Sequence, residues 1–116
     1  MSIKNKAKSI LESRGFIVST DNLRIRNLFG KEIQFERVVG VVEGKAKISW
    51  KYDPRADKGE INIVIYSVHK ENVEDVIEVL ESKGLIIEVI DDSIYGKTRF
   101  KGKGLNELED IAAVIR

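Results

Sequence analysis

The sequence lacks, or nearly lacks, several residue types on which catalytic and metal sites depend. Its 116 residues include no cysteine, one histidine, one proline and one methionine. The absence of cysteine excludes disulfide bonds, thiol nucleophiles and cysteine-ligated zinc, and one histidine cannot supply a zinc site that needs several. We identify no catalytic residues, metal ligands or cofactor motif, so we expect a binding protein rather than an enzyme.

Long apolar runs are also missing. No run approaches the roughly 18 residues that a membrane-spanning helix needs, and residues 3–6 lead into no apolar core like that of a signal peptide. We therefore expect a cytoplasmic protein that makes no contact with a membrane.

The residues that are present predict one globular domain over residues 1–116. Hydrophobic residues make up 42% of the chain, enough for a folded domain to bury roughly two thirds of its unfolded surface. Lysine, glutamate, isoleucine and valine are frequent and Gln34 is the only glutamine, a bias typical of thermophile proteins. The net charge of +1 predicts no partner, but acids concentrate at 71–81 and 107–110 and bases lie elsewhere.

Residues 60–91 predict a strand, a helix and a second strand. The first strand, Glu60–Ser67, is rich in β-branched residues. Apolar residues then recur at helical spacing, Gly84 ends the helix, and Leu85–Ile90 forms the second strand. The apolar positions of the helix are Val73, Val76, Ile77 and Leu80.

The flanking segments complete the predicted fold. A first helix capped by Ser2 is followed by a short strand at Phe16–Ser19, a turn at Asp21-Asn22 and a strand at Leu23–Arg26. After the βαβ unit we expect an edge strand, 94–101, and a closing helix. The fold class is therefore α+β: a two-layer sandwich in which three helices pack on a mainly antiparallel sheet that contains one βαβ unit.

A hairpin precedes the βαβ unit. A two-residue loop at Glu43-Gly44 would place Arg37 opposite Trp50 and Phe35 opposite Tyr52 on one apolar face. In that register Arg37 can form a cation–π pair with Trp50.

Two segments share a helix, a glycine stop and a strand. Residues 10–18 and 79–87 have nearly the same pattern around Gly15 and Gly84. An internal duplication would explain this likeness, and so would the same helix ending reached independently.

The residues 94–101 carry the main candidate site. No acidic residue occurs between Asp92 and Glu107, and strand alternation places Ile94, Thr98 and Phe100 on the opposite face from the charged residues. Cations for phosphates beside an aromatic face for bases predict binding of single-stranded RNA or DNA. The alternative is an edge strand that lysines protect from aggregation. The candidate binding residues on this strand are Tyr95, Lys97, Arg99 and Lys101.

Two further rows of lysines are candidates to extend this surface. Lys45 and Lys47 join the predicted nucleic-acid site, with Lys51 following on the outer face of the hairpin. A third row occupies the first helix, and the sequence alone does not place the three rows together. That row consists of Lys4, Lys6 and Lys8.

Other readings of the charged residues remain open. Gly96-Lys97-Thr98 is not a phosphate-binding loop, because the glycine that the motif requires is replaced by Asp91. A protein-interaction or self-assembly module would pair the basic strands with the acidic face of the central helix. A third reading places a ligand site near Asp91, Asp92 and His69. The acidic face comprises Glu71, Glu74, Asp75, Glu78 and Glu81.

Overall fold

The computed structural model describes residues 2–66 and 71–116, and within them three helices pack against a six-stranded sheet. The helices are α1 (Ile3–Ser13), α2 (Val73–Ser82) and α3 (Leu105–Ile115). The strands are β1 (Ile17–Arg26), β2 (Glu32–Val42), β3 (Ala46–Asp53), β4 (Lys58–Tyr66), β5 (Ile86–Ile90) and β6 (Ser93–Lys101). The strand order is β1-β2-β3-β4-β6-β5, and each pair of neighbours is antiparallel. The predicted α+β class is confirmed.

The core lies between the helices and one face of the sheet, here called the covered face. Trp50, Ile61, Ile63 and other alternate strand residues are buried there with apolar residues of the helices. The covered face approaches α1 and the residue that follows its glycine stop closely at Gly40, where an added Cβ would lie 3.0 Å from atoms of Leu11 and Phe16. The opposite face carries the other set of alternate residues, and we call it the open face.

Local capping sets the ends of the helices. The Ser2 hydroxyl accepts a hydrogen bond from the Asn5 N–H at 3.1 Å, as the predicted N-cap requires. At the other end of α1, the N–H of Phe16 donates to the Leu11 carbonyl after Gly15, which has a φ of +85°. Residues 80–85 repeat these hydrogen bonds, so both segments end in a Schellman motif. The shared sequence pattern corresponds to a shared capping geometry.

The predicted βαβ unit consists of β4, α2 and β5. Both strands are antiparallel to β6, which lies between them, so β4 and β5 are parallel but not adjacent. The position predicted for β6 is therefore wrong: it is an interior strand, and β1 and β5 form the two ends of the strand order. Ser67 and His69 lie outside the described residues.

The predicted turn at Asp21-Asn22 is also wrong. Both residues lie inside β1, where Asp21 pairs with Arg37 and Asn22 with Glu36. Neighbouring β2 offers a continuous backbone partner, and the Arg37 guanidinium lies 2.5 Å from the Asp21 carboxylate. These contacts override the turn preference of an Asp-Asn pair, and two predicted strands become one.

The hairpin register differs from the prediction by one residue. Val42 pairs with Ala46, so the loop has three residues, and Gly44 takes a φ of +72°. The Lys45 N–H closes the turn on the Val42 carbonyl at 2.9 Å. Three-residue loops with a left-handed glycine are also a regular hairpin solution, so the preference for a two-residue loop selected the wrong register.

This register changes the partners of the aromatic residues. Val38, not Arg37, is opposite Trp50, so the predicted cation–π pair does not form. Trp50 is fully buried, stacks on Tyr52 at 5.6 Å between ring centroids, and donates its indole N–H to the Lys103 carbonyl at 2.9 Å. A cation–π contact occurs instead on the open face, where the Lys51 amine lies 4.9 Å from the centroid of the Phe35 ring.

Candidate nucleic-acid interface

The predicted alternation along β6 is confirmed. Ile94, Gly96 and Phe100 are buried on the covered face, and the four candidate residues between and beyond them are exposed. Those four, on the open face, are Tyr95, Lys97, Arg99 and Lys101.

The strand order removes the alternative explanation for the lysines of β6. Lysines protect a strand whose backbone groups are unpaired on one side. β6 pairs with β4 on one side and β5 on the other, so its backbone gains nothing from such protection. Edge protection therefore does not explain these lysines, which lie on the solvent-facing side of an interior strand.

Two of the three basic rows meet on the open face. Across β3, β4 and β6, Lys47 lies in line with Val64 and Tyr95, and Ser49 in line with Asn62 and Lys97. The row after these runs from Lys51 through Glu60 to Arg99. β3 and β6 are separated only by β4, so their side chains stand roughly 10 Å apart across the face. Lys45 lies in the hairpin loop at the end of this face, where its carbonyl accepts a hydrogen bond from the Tyr66 N–H at 3.0 Å.

The third basic row lies on the other side of the sheet. Helix α1 packs on β1 and β2 in the helical layer. The Lys4 amine donates to the Asn22 side chain at 3.2 Å, and Asn22 is on the same side of β1 as the residues that pair with buried β2 positions. The α1 lysines therefore do not extend the open-face surface.

Two acidic residues lie on this part of the open face: Glu60 at its centre, and Glu88 of β5 directly opposite Tyr95. Glu60 is the one that forms an ion pair with the basic row. Its carboxylate lies 3.2 Å from the Lys97 amine and accepts a hydrogen bond from the Asn62 amide at 3.0 Å. Partial burial acts to raise the pKa of Glu60, but the hydrogen bonds from Asn62 and Lys97 and the charges of Lys51 and Lys97 outweigh it and lower the pKa. Glu60 is thus ionised at neutral pH and neutralises part of the basic row.

The other cations of the row are not neutralised in this way. In the part of the chain that the structure describes, no ion pair involves Lys47, Arg99 or Lys101. Their charges face solvent and are available to an anionic ligand.

A second aromatic residue joins the predicted site. Tyr66 is opposite Ser93, one diagonal step from Tyr95, and both tyrosines are 40% exposed on the open face. Diagonal neighbours lie roughly 7–8 Å apart, within reach of the same ligand. Sequence reasoning missed Tyr66 because only the pairing of β4 with β6 brings it beside Tyr95.

A cleft of about 700 Å³ opens at the opposite end of the open face. Sequence reasoning missed it, because it combines β2, β3, β4 and β6 with the loop after β3. Its lining residues are Ile33, Phe35, Lys51, Asp53, Ala56, Lys58, Gly59, Glu60, Arg99, Phe100 and Lys101.

The hairpin of β1 and β2 ends in an exposed apolar tip that the sequence analysis also overlooked. Leu28 and Phe29 are almost wholly exposed. Asn27 closes the turn beneath them, because its side-chain oxygen accepts hydrogen bonds from the N–H groups of Phe29 and Lys31 at 3.0 and 2.9 Å.

Two residues of the remaining predicted ligand site lie in a hairpin turn. Asp91 and Asp92 form the two-residue turn between β5 and β6, with φ values of 48° and 63°. Left-handed conformations at both positions characterise a type I′ hairpin, in which aspartate is common. His69 lies outside the described residues. Within those residues, no three His, Asp or Glu side chains are grouped so as to hold a metal ion.

No protein-family model matches the chain, and no curated protein is significantly similar to it. In the described part of the chain, none of the helices has the length and apolar character needed to cross a membrane.

Proposed function

We propose that the protein binds single-stranded nucleic acid, RNA or DNA, across the open face of its sheet. The observation that carries the proposal is the meeting of the basic rows of β3 and β6 with two exposed tyrosines on a face against which none of the three described helices packs. Cations beside exposed aromatic rings are the two elements that sequence-tolerant binding of single strands requires. Such a ligand is accessible in the cytoplasm, the compartment expected from the sequence.

Each group has a distinct role in this proposal. Arg99 and Lys101 on β6 and Lys47 on β3 bind phosphates on either side of β4, with Lys45 at the end of the path and Lys97 shared with Glu60. Alternate residues of a strand are roughly 6.6 Å apart, so β6 presents a regular line of cations. Tyr95 and Tyr66 provide ring faces for unstacked bases.

The test is an NMR titration with a short single-stranded RNA, and then DNA, at low salt. We expect shifts at residues 45–51 and 95–101, and an association constant that falls by about 0.7 log units per log unit of salt for each phosphate bound. Arg99→Gln should weaken binding, whereas Lys6→Gln, an equal charge change on α1, should not. Absence of shifts in these segments, or binding that salt does not weaken, would overturn the proposal.

A second candidate function is self-assembly, and the separation of charge between the two layers favours it. The acidic residues of α2 are exposed in the helical layer, and the basic residues of β6 are on the opposite side of the sheet. Copies stacked front to back would place acidic helix on basic strand, a heterologous contact that extends as a filament. Light scattering should then show large species at low salt that dissociate as salt is added. A monomer at low salt contradicts this candidate.

A further inference from the structure

The cleft at the end of the open face has more positive than negative charge. Lys51, Lys58, Arg99 and Lys101 contribute four positive charges, and Asp53 and Glu60 contribute two negative charges. The net charge of the cleft lining is therefore +2. The volume of the cleft, about 700 Å³, is within the roughly 300–1,000 Å³ range of small-molecule sites.

In the described part of the chain, the positive charges of Lys58 and Lys101, at one end of the cleft, are not paired with acidic side chains. Lys58 is directly opposite Lys101 across the β4–β6 ladder, and like charges in that position repel. Asp53 is opposite Lys58 on the other side, and one of its carboxylate oxygens accepts hydrogen bonds from the N–H groups of Arg55 and Ala56 at 3.0 and 3.3 Å. No ion pair involving Lys58 or Lys101 occurs among the residues that the structure describes.

The rest of the cleft wall is apolar. Ile33, Phe35 and Ala56 line it beside the cations. The Lys51 amine lies over the Phe35 ring at 4.9 Å, which holds this cation at the boundary between the apolar and the charged walls. A ligand that fills this cleft therefore has a compact dianionic group and an apolar or planar body.

We infer that the cleft binds a phosphate monoester carried on a nucleoside, with the phosphate between Lys58, Lys101 and Arg99 and the nucleoside against Phe35. A terminal phosphate carries a charge of roughly −1.5 to −2 at neutral pH, which matches the excess positive charge of the cleft. An internal phosphodiester carries only one negative charge. If the nucleoside is the end of a bound strand, this inference rests on the proposed function. A free nucleoside monophosphate carries the same phosphate monoester and is the other source of this ligand.

The experiment compares four probes by fluorescence anisotropy or calorimetry. They are one single-stranded oligonucleotide with a 5′-phosphate, with a 3′-phosphate and with no terminal phosphate, and a free nucleoside monophosphate. We expect one phosphorylated form to bind roughly tenfold more tightly than the unphosphorylated form at low salt, since it adds one to two charge contacts. Lys58→Gln should abolish this preference, because Lys58 belongs to the cleft and not to the row proposed for the rest of the strand.

Lys31→Gln is the matched control, since Lys31 is an exposed lysine at the hairpin tip, outside the cleft. It should retain the preference for phosphate, and circular dichroism should show both variants folded. Binding of all three oligonucleotides with equal affinity would overturn the inference and leave the proposed function standing. Binding of the nucleoside monophosphate that depends on Lys58, without binding of any oligonucleotide, would support the cleft and overturn the proposed function. No binding of any probe would overturn both.

Discussion

Replacing Glu60 by glutamine should increase the affinity for single-stranded nucleic acid, which is an unusual direction for a change at a binding surface. Glu60 is at the centre of the basic surface, 3.2 Å from the Lys97 amine, and contributes a negative charge next to Lys51. The amide of glutamine keeps the size of the side chain and can still bond to Asn62. It releases Lys97 to bind a phosphate.

The magnitude follows from the salt dependence of one phosphate contact. Each contact with a single strand adds about 0.7 to the slope of log K against log salt concentration, so a contact that contributes nothing near 1 M salt contributes about eightfold at 50 mM and about threefold at 0.2 M. We therefore expect Glu60→Gln to bind up to about eightfold more tightly at 50 mM salt, with a steeper slope. The variant should lose no more than about 1 kcal/mol of folding stability, since Lys97 is exposed and such pairs contribute little.

The assay is fluorescence anisotropy with an oligonucleotide that has no terminal phosphate, at several salt concentrations, so that the cleft does not contribute. Glu12→Gln is the matched control, because Glu12 is exposed on α1 and its replacement changes the net charge equally. An equal gain in both variants would show that net charge alone acts. Unchanged or weaker binding by Glu60→Gln, with the fold retained, would refute the reasoning that Lys97 binds phosphate.

The pKa of Glu60 defines the pH range for this comparison. Because its pKa is lowered from 4.5 in the folded state, the stability that its ion pair contributes is complete above that pH and is lost as pH falls through the folded-state pKa. The difference in affinity between wild type and variant should be constant near neutral pH and should disappear in strong acid.

Three further predictions concern the folded structure. Trp50→Phe should lower the free energy of unfolding by about 1–3 kcal/mol in urea titrations, because it removes the hydrogen bond to Lys103 and leaves space in the core. Gly96→Ala should also destabilise by about 1–3 kcal/mol, since its Cβ would lie within 2.9 Å of three side chains of the covered face; an unchanged midpoint would contradict this packing. The hydrogen bond that Tyr52 donates to Asp57, with burial, raises the pKa of Tyr52 to about 12, so ultraviolet titration should show one tyrosine ionising at about pH 12. The stability that this hydrogen bond contributes should be lost as pH rises from about 10 towards 12. Tyr52→Phe should remove the tyrosine ionisation at about pH 12.

Local patterns predicted the elements of this fold well where one periodicity dominates. The apolar stripe of α2 and the β-branched run of β4 correspond to observed elements, as do both glycine helix ends. The alternation of β6 predicted which of its side chains face solvent. These outcomes depend on interactions within a few residues, which the sequence itself contains.

Patterns failed where two local solutions have similar energy. Asp21-Asn22 can form a turn or pair within a strand, and only the neighbouring β2 with Arg37 selects the strand. Glu43-Gly44 can close a loop of two or three residues, and burial of Val38 and Gly40 on the covered face, with Gly40 against Leu11, selects the longer one. Contacts between segments decide both cases.

The sequence by itself determined the α+β class, the helix ends and the acid-free basic strand with Tyr95 on its charged face. Only the tertiary structure placed that strand in the interior of the sheet, with Lys47 two strands away on the same face, Tyr66 beside Tyr95, and Lys58 opposite Lys101 at a cleft. The physical reason is the distance along the chain over which the deciding interactions act. Side-chain alternation is imposed by the backbone of a single strand, whereas strand order is set by how distant segments bury their apolar faces together, so the neighbours across a sheet are not encoded in any one stretch of the chain.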